Sequence, residues 1–518
     1  MREVESKRNV PAPNRFEKFV AGFASGFALK NYKGRCALAM AESYTGASKK
    51  RRSMVNWQTN DGDFNSDTLP ELPDLRERSE TLYHNNMIAA GAINTKVTSI
   101  VGRGLTAQSR IDNDILGLSE KDADAWETKA DREYNLWSES KHCSVNKKHN
   151  FRELQALSFL SALVRGDSFV VTPEQAATKR MPYKLRLQLI EADRVCNKDN
   201  VPNTENLNGG IETHPNGALK AAHILNGFPG SGYKDSSKWQ VVPFFGEKTE
   251  RRNVLHLFSS IRADQSRGVP DLAPVIEGLK QFGELTQATI DAAVIQTFLS
   301  VFIEGAVDID GGSTDTPKAD SIKLESAAII DLAEGEIPHV VNPTHPNANY
   351  NAFAQEFYAQ IGTALGVPKE LLVKHFQSSY SAAQAALLEA WRFFMVRRSW
   401  LIDNLCQPVR ELWLEEAVSS GRLNAPGFFN DPIIRAAYSG ADWVGPPRGH
   451  IRDDVQNKAD GYAEDRGWKT GAQNTQERGG IWDRNHRQRV KEVNKRKDDG
   501  LITTAEVETT EDIIDENN

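Results

Sequence analysis

Residues 366–416 read GVPKELLVKHFQSSYSAAQAALLEAWRFFMVRRSWLIDNLCQPVRELWLEE, a short polar loop joined to one very long, aromatic-rich helical pattern. Ser381 can cap a helix start, and Ala382, Ala383, Ala385, Ala386, Leu387 and Leu388 are strong helix formers or core residues, so the spacing predicts a helix from about Ser381. Leu387, Trp391, Phe394, Arg398, Leu401 and Leu405 recur at three- and four-residue steps. Pro408 should bend the rod and Gly421 stop it. At about 1.5 Å per residue the rod is on the order of 50 Å long, too long for a small domain to bury. It should span a domain or pack against other subunits. Arg397 and Arg398 point about 100° apart, so only one of them can face the core, which leaves the other for a neighbour's carboxylate.

Working outward, the text divides by period. Residues 1–80 mix a basic run at Lys49–Arg52 with the turn-rich DGDFNSDTLPELPD and read as an arm. Helical patterns follow from Leu82, through Trp126, Tyr134 and Trp137, and again from Phe151. After Asp167, read as a turn residue, the pattern changes to strands in SFVVTP, YKLRLQLIEA, GALKAAHIL, QVVPFF and NVLHLF. An α+β body therefore extends to about residue 262. A second rod is expected over Pro270–Leu299 and a third helix over Asn349–Leu365, with a compact insert of short strands between them. The passage from Trp443 is polar and helical, and ITTAEVETTEDIIDENN at the end is acidic and lacks a core.

The chain has 518 residues, 39% hydrophobic and 26% charged, enough for two to four domains. Its apolar N-terminal stretch FVAGFASGFAL, from Phe19, is too short to span a bilayer. Cys36, Cys143, Cys196 and Cys406 are scattered, without the spacing of a zinc site, and fit a reducing cytoplasm. A net charge of −7 lacks the surplus of Lys and Arg that a protein gripping DNA phosphates needs. An acidic balance of this size is common in cytoplasmic proteins.

Catalytic signals fail on inspection. GFPGSGYKDS, at Gly227, departs from the phosphate-cradling GxxxxGK[ST] because Tyr233 separates glycine from lysine. GDSF at Gly166 lacks a GxSxG elbow, and DGDFNSD at Asp61 has Ser66 where a calcium loop needs glycine. His214, His223 and His256 form no metal pair. No catalytic residue, cofactor or metal is expected.

Six blocks carry a resemblance. They are LYHNNMIAAGAINTKVTSIVGRGL from Leu82, FRELQALSFLSALVRGDSFVV from Phe151, LQLIEADRV from Leu187, NVLHLFSSIRADQSRGVPDLAPVI from Asn253, GVPKELL from Gly366 and WVGPPRGHI from Trp443. Together, in this order and over roughly residues 40–500, they resemble phage portal proteins of the lambda family. The resemblance implies a ring-forming, portal-like α+β subunit. Its parts would be an N-terminal arm (1–80), an α/β wing (81–265), a stem helix (266–300), a small clip insert (301–343), a returning stem helix (344–366), a tunnel loop (367–381), the long helix and wing return (382–440), a helical crown (441–500) and an acidic tail (501–518).

The implied function is a homo-oligomeric ring, twelve copies in the family, at one capsid vertex of the virion, assembled in the host cytoplasm. Its partners would be further copies of itself, the terminase large subunit, the major capsid protein, head-tail connector proteins and double-stranded DNA held without sequence specificity. No membrane is involved. The tunnel loop residues Lys374, His375, Phe376, Gln377 and Ser378 would face passing phosphates. Trp391, Arg397 and Arg398 are the candidates for the subunit interface. A minor capsid or scaffold-type protein without a DNA channel would need the same interfaces but no closed ring.

Overall fold

The computed structural model describes residues 62–229, 238–297, 350–375, 379–449 and 453–501, the segments 301–304 and 337–340, and scattered positions between 15 and 59. The chain divides into two units, Met1–Asp63 and Phe64–Asn518. The first contains the helix Arg15–Ala21. The basic run at 49–52 lies outside the described residues except for Arg52, as do Cys36, 230–237 of the glycine-rich loop and the tail from 502.

The second unit begins earlier than the turn-rich text suggests. Phe64–Thr68 is a short helix, and Leu72–Asn85 is a full one with a proline in its first turn, where the missing N–H is harmless. Phe64, Leu72, Arg76 and Ser79 are buried, so the segment expected to be a loose arm up to residue 80 belongs to the core from Phe64 onward. The helix expected from Leu82 is in fact two helices. Asn86 ends the first and caps Met87–Ile100, its side chain accepting hydrogen bonds from the Ile88 and Ala89 amides.

Helices Glu120–Ser138 and Phe151–Arg165 complete the helical layer. Asn150 and Glu153 form a capping box at the start of the second. Two small antiparallel sheets pack beside this layer. One has β2 (Asp167–Val171) between β3 (Gln188–Ile190) and β8 (Val254–Phe258); the other runs β4 (Leu207–Asn208), β5 (Ile211–Thr213), β6 (Leu219–Leu225), β7 (Trp239–Pro243). The register pairs Phe169 with His256 and Val170 with Leu255. Alternation then sends Val170 and Leu255 into the helical core, and Phe169 and Val254 into a second core shared with Ile211, Ile224 and Phe244. A further pair, β1 (Thr106–Ser109) with β11 (Ala441–Val444), clasps distant parts of the chain.

The rod seen in the sequence is real. It runs as Tyr380–Leu401, a π-helical turn Ile402–Cys406, and Gln407–Ser419. Its cap is Ser379, two residues before the expected Ser381, with Oγ accepting from the Ala382 amide at 3.4 Å. Pro408 is accommodated by the wide turn, in which the Gln407 amide donates to the Ile402 carbonyl five residues back. Gly421, at φ +72°, ends the helix in the left-handed conformation.

The second rod spans Ile276–Thr297 after a single 3-10 turn, and the third helix is Tyr350–Leu365. The two are joined by an aromatic ladder. Phe282 stacks on Phe357 with centroids 4.6 Å apart and meets Tyr358 edge-on at 5.4 Å, while the Thr286 hydroxyl lies 3.0 Å from that of Tyr350. Of the insert expected over 301–343, the pair β9 (Val301–Glu304) with β10 (Ile337–Val340) is described, and 305–336 lies outside the described residues. Among the described residues no helix is long and apolar enough to cross a membrane. Because Phe282 is the hub of the ladder, Phe282→Ala should destabilise the protein by about 3 kcal/mol, read as a lower denaturant midpoint with an unchanged slope.

Candidate functional site

The loop between Tyr350–Leu365 and Tyr380–Leu401 is built by its ends. Gly366 adopts φ +65° and lets the Val367 amide reach back to the Gly362 carbonyl at 2.9 Å, closing Tyr350–Leu365 in a Schellman turn. A Cβ at Gly366 would stand 2.7 Å from the Phe393 ring, so a larger residue would have to displace that ring besides adopting the left-handed backbone. One short helix later, Lys369–Leu372, the same device recurs. Lys374 takes φ +53°, and the His375 amide donates to Glu370 O at 3.2 Å. Here a lysine holds the left-handed position usually given to glycine, at a cost of about 1 kcal/mol. Lys374 and His375 are both exposed. Phe376, Gln377 and Ser378 lie outside the described residues, and the chain resumes at the cap Ser379.

Past the loop, the structure brings Trp391, Arg397 and Arg398 onto the subunit's own body. Arg398 is the buried one. It donates to the carbonyls of Ile100, Ser99 and Pro446, each at 3.0 Å, beneath the Trp391 ring. Burial alone lowers its guanidinium to about 10, so it stays charged at neutral pH. Arg397 reaches Ser259 Oγ at 3.2 Å and Asp271 Oδ1 at 3.4 Å. Asp271 also holds the buried Lys96. Arg397 thus has a carboxylate partner within its own chain.

A buried ionic hub, absent from the expected set, fixes where Ile276–Thr297 starts. Asp167, read as a turn residue, opens β2 fully buried. Its Oδ2 accepts from Arg76 at 2.6 Å and Arg267 Nε at 2.5 Å, and its Oδ1 from the Gly268 amide at 2.5 Å and His256 Nε2 at 3.2 Å. Arg267 also donates to the carbonyls of Val195, Ala192 and Gly209, reaching across to the second sheet. Arg165 pairs with Asp193 and Glu80 at the rim. Burial would raise the Asp167 carboxyl, but Arg267, His256 and Arg76 outweigh it and hold it well below the usual carboxylate range. Burial outweighs Asp167 at His256 and pushes the imidazole down, leaving it neutral at pH 7 between the stacked rings of Phe169 and Phe258.

Gly166 and Gly268 make the hub possible. A Cβ on Gly268 would lie 2.0 Å from Gly166 O, and Gly166 itself sits at φ +83°. The arrangement binds and positions chain segments, and its charges are balanced among themselves. Buried Cys143, pushed up to about 12 by desolvation, is a thiol rather than a nucleophile at neutral pH. Among the described residues no three His, Cys, Asp or Glu side chains are grouped to hold a metal ion.

The sequence pattern of the family described as "Phage portal protein, lambda family" matches residues 50–398. Portal protein B of Escherichia phage lambda is 23% identical over 421 residues, covering 76% of this chain and 78% of that one. The portal protein of Escherichia phage N15 is 24% identical over 408 residues, covering 73% and 76%. Among solved structures, a chain of "Virion of native gene transfer agent (GTA) particle" is similar at a TM-score of 0.42 and 13% identity, over 71% of this chain and 92% of that one.

Arg267→Ala leaves Asp167 buried beside one fewer cation and should cost about 3–5 kcal/mol of stability. The hub also sets a pH dependence. His256 has a lowered folded value, so stability should fall as the pH drops below the unfolded value of about 6.5. Asp167 adds a further loss below about 4. Thermal midpoints against pH should show both steps, and His256→Gln should flatten the upper one.

Proposed function

The chain belongs to the lambda family of phage portal proteins, and we propose that it acts as a closed homo-oligomeric ring at one capsid vertex, through which viral DNA enters and leaves. The observation that carries the ring is the apolar surface left on the paired long helices. Leu285 and Ile290 on Ile276–Thr297, and Phe353 on Tyr350–Leu365, are exposed in the single subunit although the same helices bury Leu279, Phe282 and Ile361. A second copy packed alongside would cover them, and repetition around an axis closes the set, twelve copies being the family's number.

In this reading the body 81–265 is the wing, 266–300 and 344–366 are the stem, and 301–343 is the clip that docks the terminase large subunit and the head-tail connector proteins. The helices of 441–500 form the crown, and the major capsid protein surrounds the ring. Loop 367–381 faces the axis. Its exposed Lys374 and His375 meet phosphates as point contacts that carry no sequence information. Arg397, Arg398 and Trp391 contribute by holding the long helix on the body, so that the face offered to the neighbour has a fixed position.

Purified protein should show the native mass of a closed oligomer and a central hole in negative stain; a persistent monomer across salt and concentration would favour a scaffold-type protein without a channel. Ile290→Asp should shift the mass distribution toward the monomer. Lys374→Glu should leave rings intact while lowering DNA packaging, and unchanged packaging would remove the loop from the mechanism.

A further inference from the structure

The helix Trp482–Asp498 has no buried residue, an unusual state for seventeen residues in a folded body. Among the described residues, its side-chain polar attachments to the rest of the chain lie in its first six residues. Asp483 accepts from Gln108 and lies 3.9 Å from Arg110, and Arg487 reaches Thr128 Oγ1 at 3.4 Å. Beyond that the helix carries Arg484, Arg487, Arg489, Lys491, Lys495, Arg496 and Lys497 against Asp483, Glu492 and Asp498, within a chain whose net charge is −7. All seven cations are exposed, and among the described residues none except Arg487 has a side-chain partner; Arg487 reaches its own helix backbone and Thr128.

The helix dipole accounts for only part of this charge. Lys495, Arg496 and Lys497 sit in the last turn, where cations are favoured. Arg484 sits in the first turn, where a cation is disfavoured by a few tenths of a kcal/mol, and Arg487 and Lys491 lie mid-helix. At 100° per residue, Arg484, Arg487, Lys491 and Lys495 fall within about 80° of one another, forming one stripe about 16 Å long. Duplex DNA presents one charge per roughly 1.7 Å of axis, so this stripe lies against about nine phosphate charges.

We propose that this stripe is a sequence-independent contact for the backbone of double-stranded DNA, separate from the loop at Lys374. The choice of DNA rests on the portal reading above, which brings duplex DNA to every copy. The overall negative charge lets most of the surface leave the polymer free, while one projecting helix per subunit touches it weakly. Repetition around a ring turns weak contacts into a measurable one.

The test uses the full chain, a 30-base-pair duplex and the variant Arg484→Gln/Arg487→Gln/Lys491→Gln/Lys495→Gln, with native mass recorded for each protein. Expected results are unchanged mass, at least tenfold weaker binding at low salt, and a salt slope shallower by about 3 to 4 per contacting subunit. Equal affinity and slope in the variant would overturn the proposal. So would a wild-type protein that fails to bind DNA while a variant with Glu506, Glu508, Glu511, Asp512, Asp515 and Glu516 changed to Gln or Asn binds it, because the acidic tail would then be the occupant of the helix. A wild-type protein whose binding is weakened tenfold by the four substitutions but which does not form rings would count against the portal reading and leave the DNA contact standing.

Discussion

One fully buried carboxylate organises the body. Asp167 ties helix Leu72–Asn85 through Arg76, its neighbouring strand through His256, and the approach to Ile276–Thr297 through Arg267 and the Gly268 amide. A buried carboxylate without such partners would cost several kcal/mol or take up a proton. With four donors around it, every alternative arrangement of these segments would strand a charge. The glycines at 166 and 268 let two backbones meet closely enough for Asp167 to bridge them.

The same economy recurs outward from the hub. Asp271, four residues past Arg267, receives Lys96 and Arg397 and so fastens the long helix to the start of Ile276–Thr297. Arg398 fills the carbonyls at the end of Met87–Ile100, and Arg410 joins Ser439 O to Ser109 Oγ where β1 meets β11. Arginine suits these sites because its fork satisfies several carbonyls at once and keeps its charge when buried. Both long helices are therefore fastened to the body by ion pairs and carbonyl contacts.

Elements with a strong local period were legible in the sequence. The strands SFVVTP, GALKAAHIL and NVLHLF and the rod after residue 380 lie where alternation and helical spacing put them. Leu72–Asn85 was hidden by prolines that read as turns although one occupies a first helical turn. β1 and β11 were invisible because their partners are more than 300 residues apart. The hub was missed for the same reason. Arg76 and Arg267 lie 91 and 100 residues from Asp167, and GDSF looks like a turn and strand start when read alone. Of the loop, the sequence singled out Lys374 and His375, which are exposed, but gave no sign of the left-handed conformation that the lysine adopts.

The wide turn at Ile402–Cys406 has a geometrical consequence of its own. A π-helical turn admits about one residue more than an α-helical one, which offsets the angular phase of everything after it by roughly 100°. Counted at 100° per residue, Val409, Trp413 and Ala417 would lie about 60–140° around from Phe394; the offset returns them to the face of Phe394 and Leu401, and all of them are buried in one core. One long member thereby keeps its apolar side turned to the same core along its whole length, the way a leap day keeps a calendar aligned with the seasons.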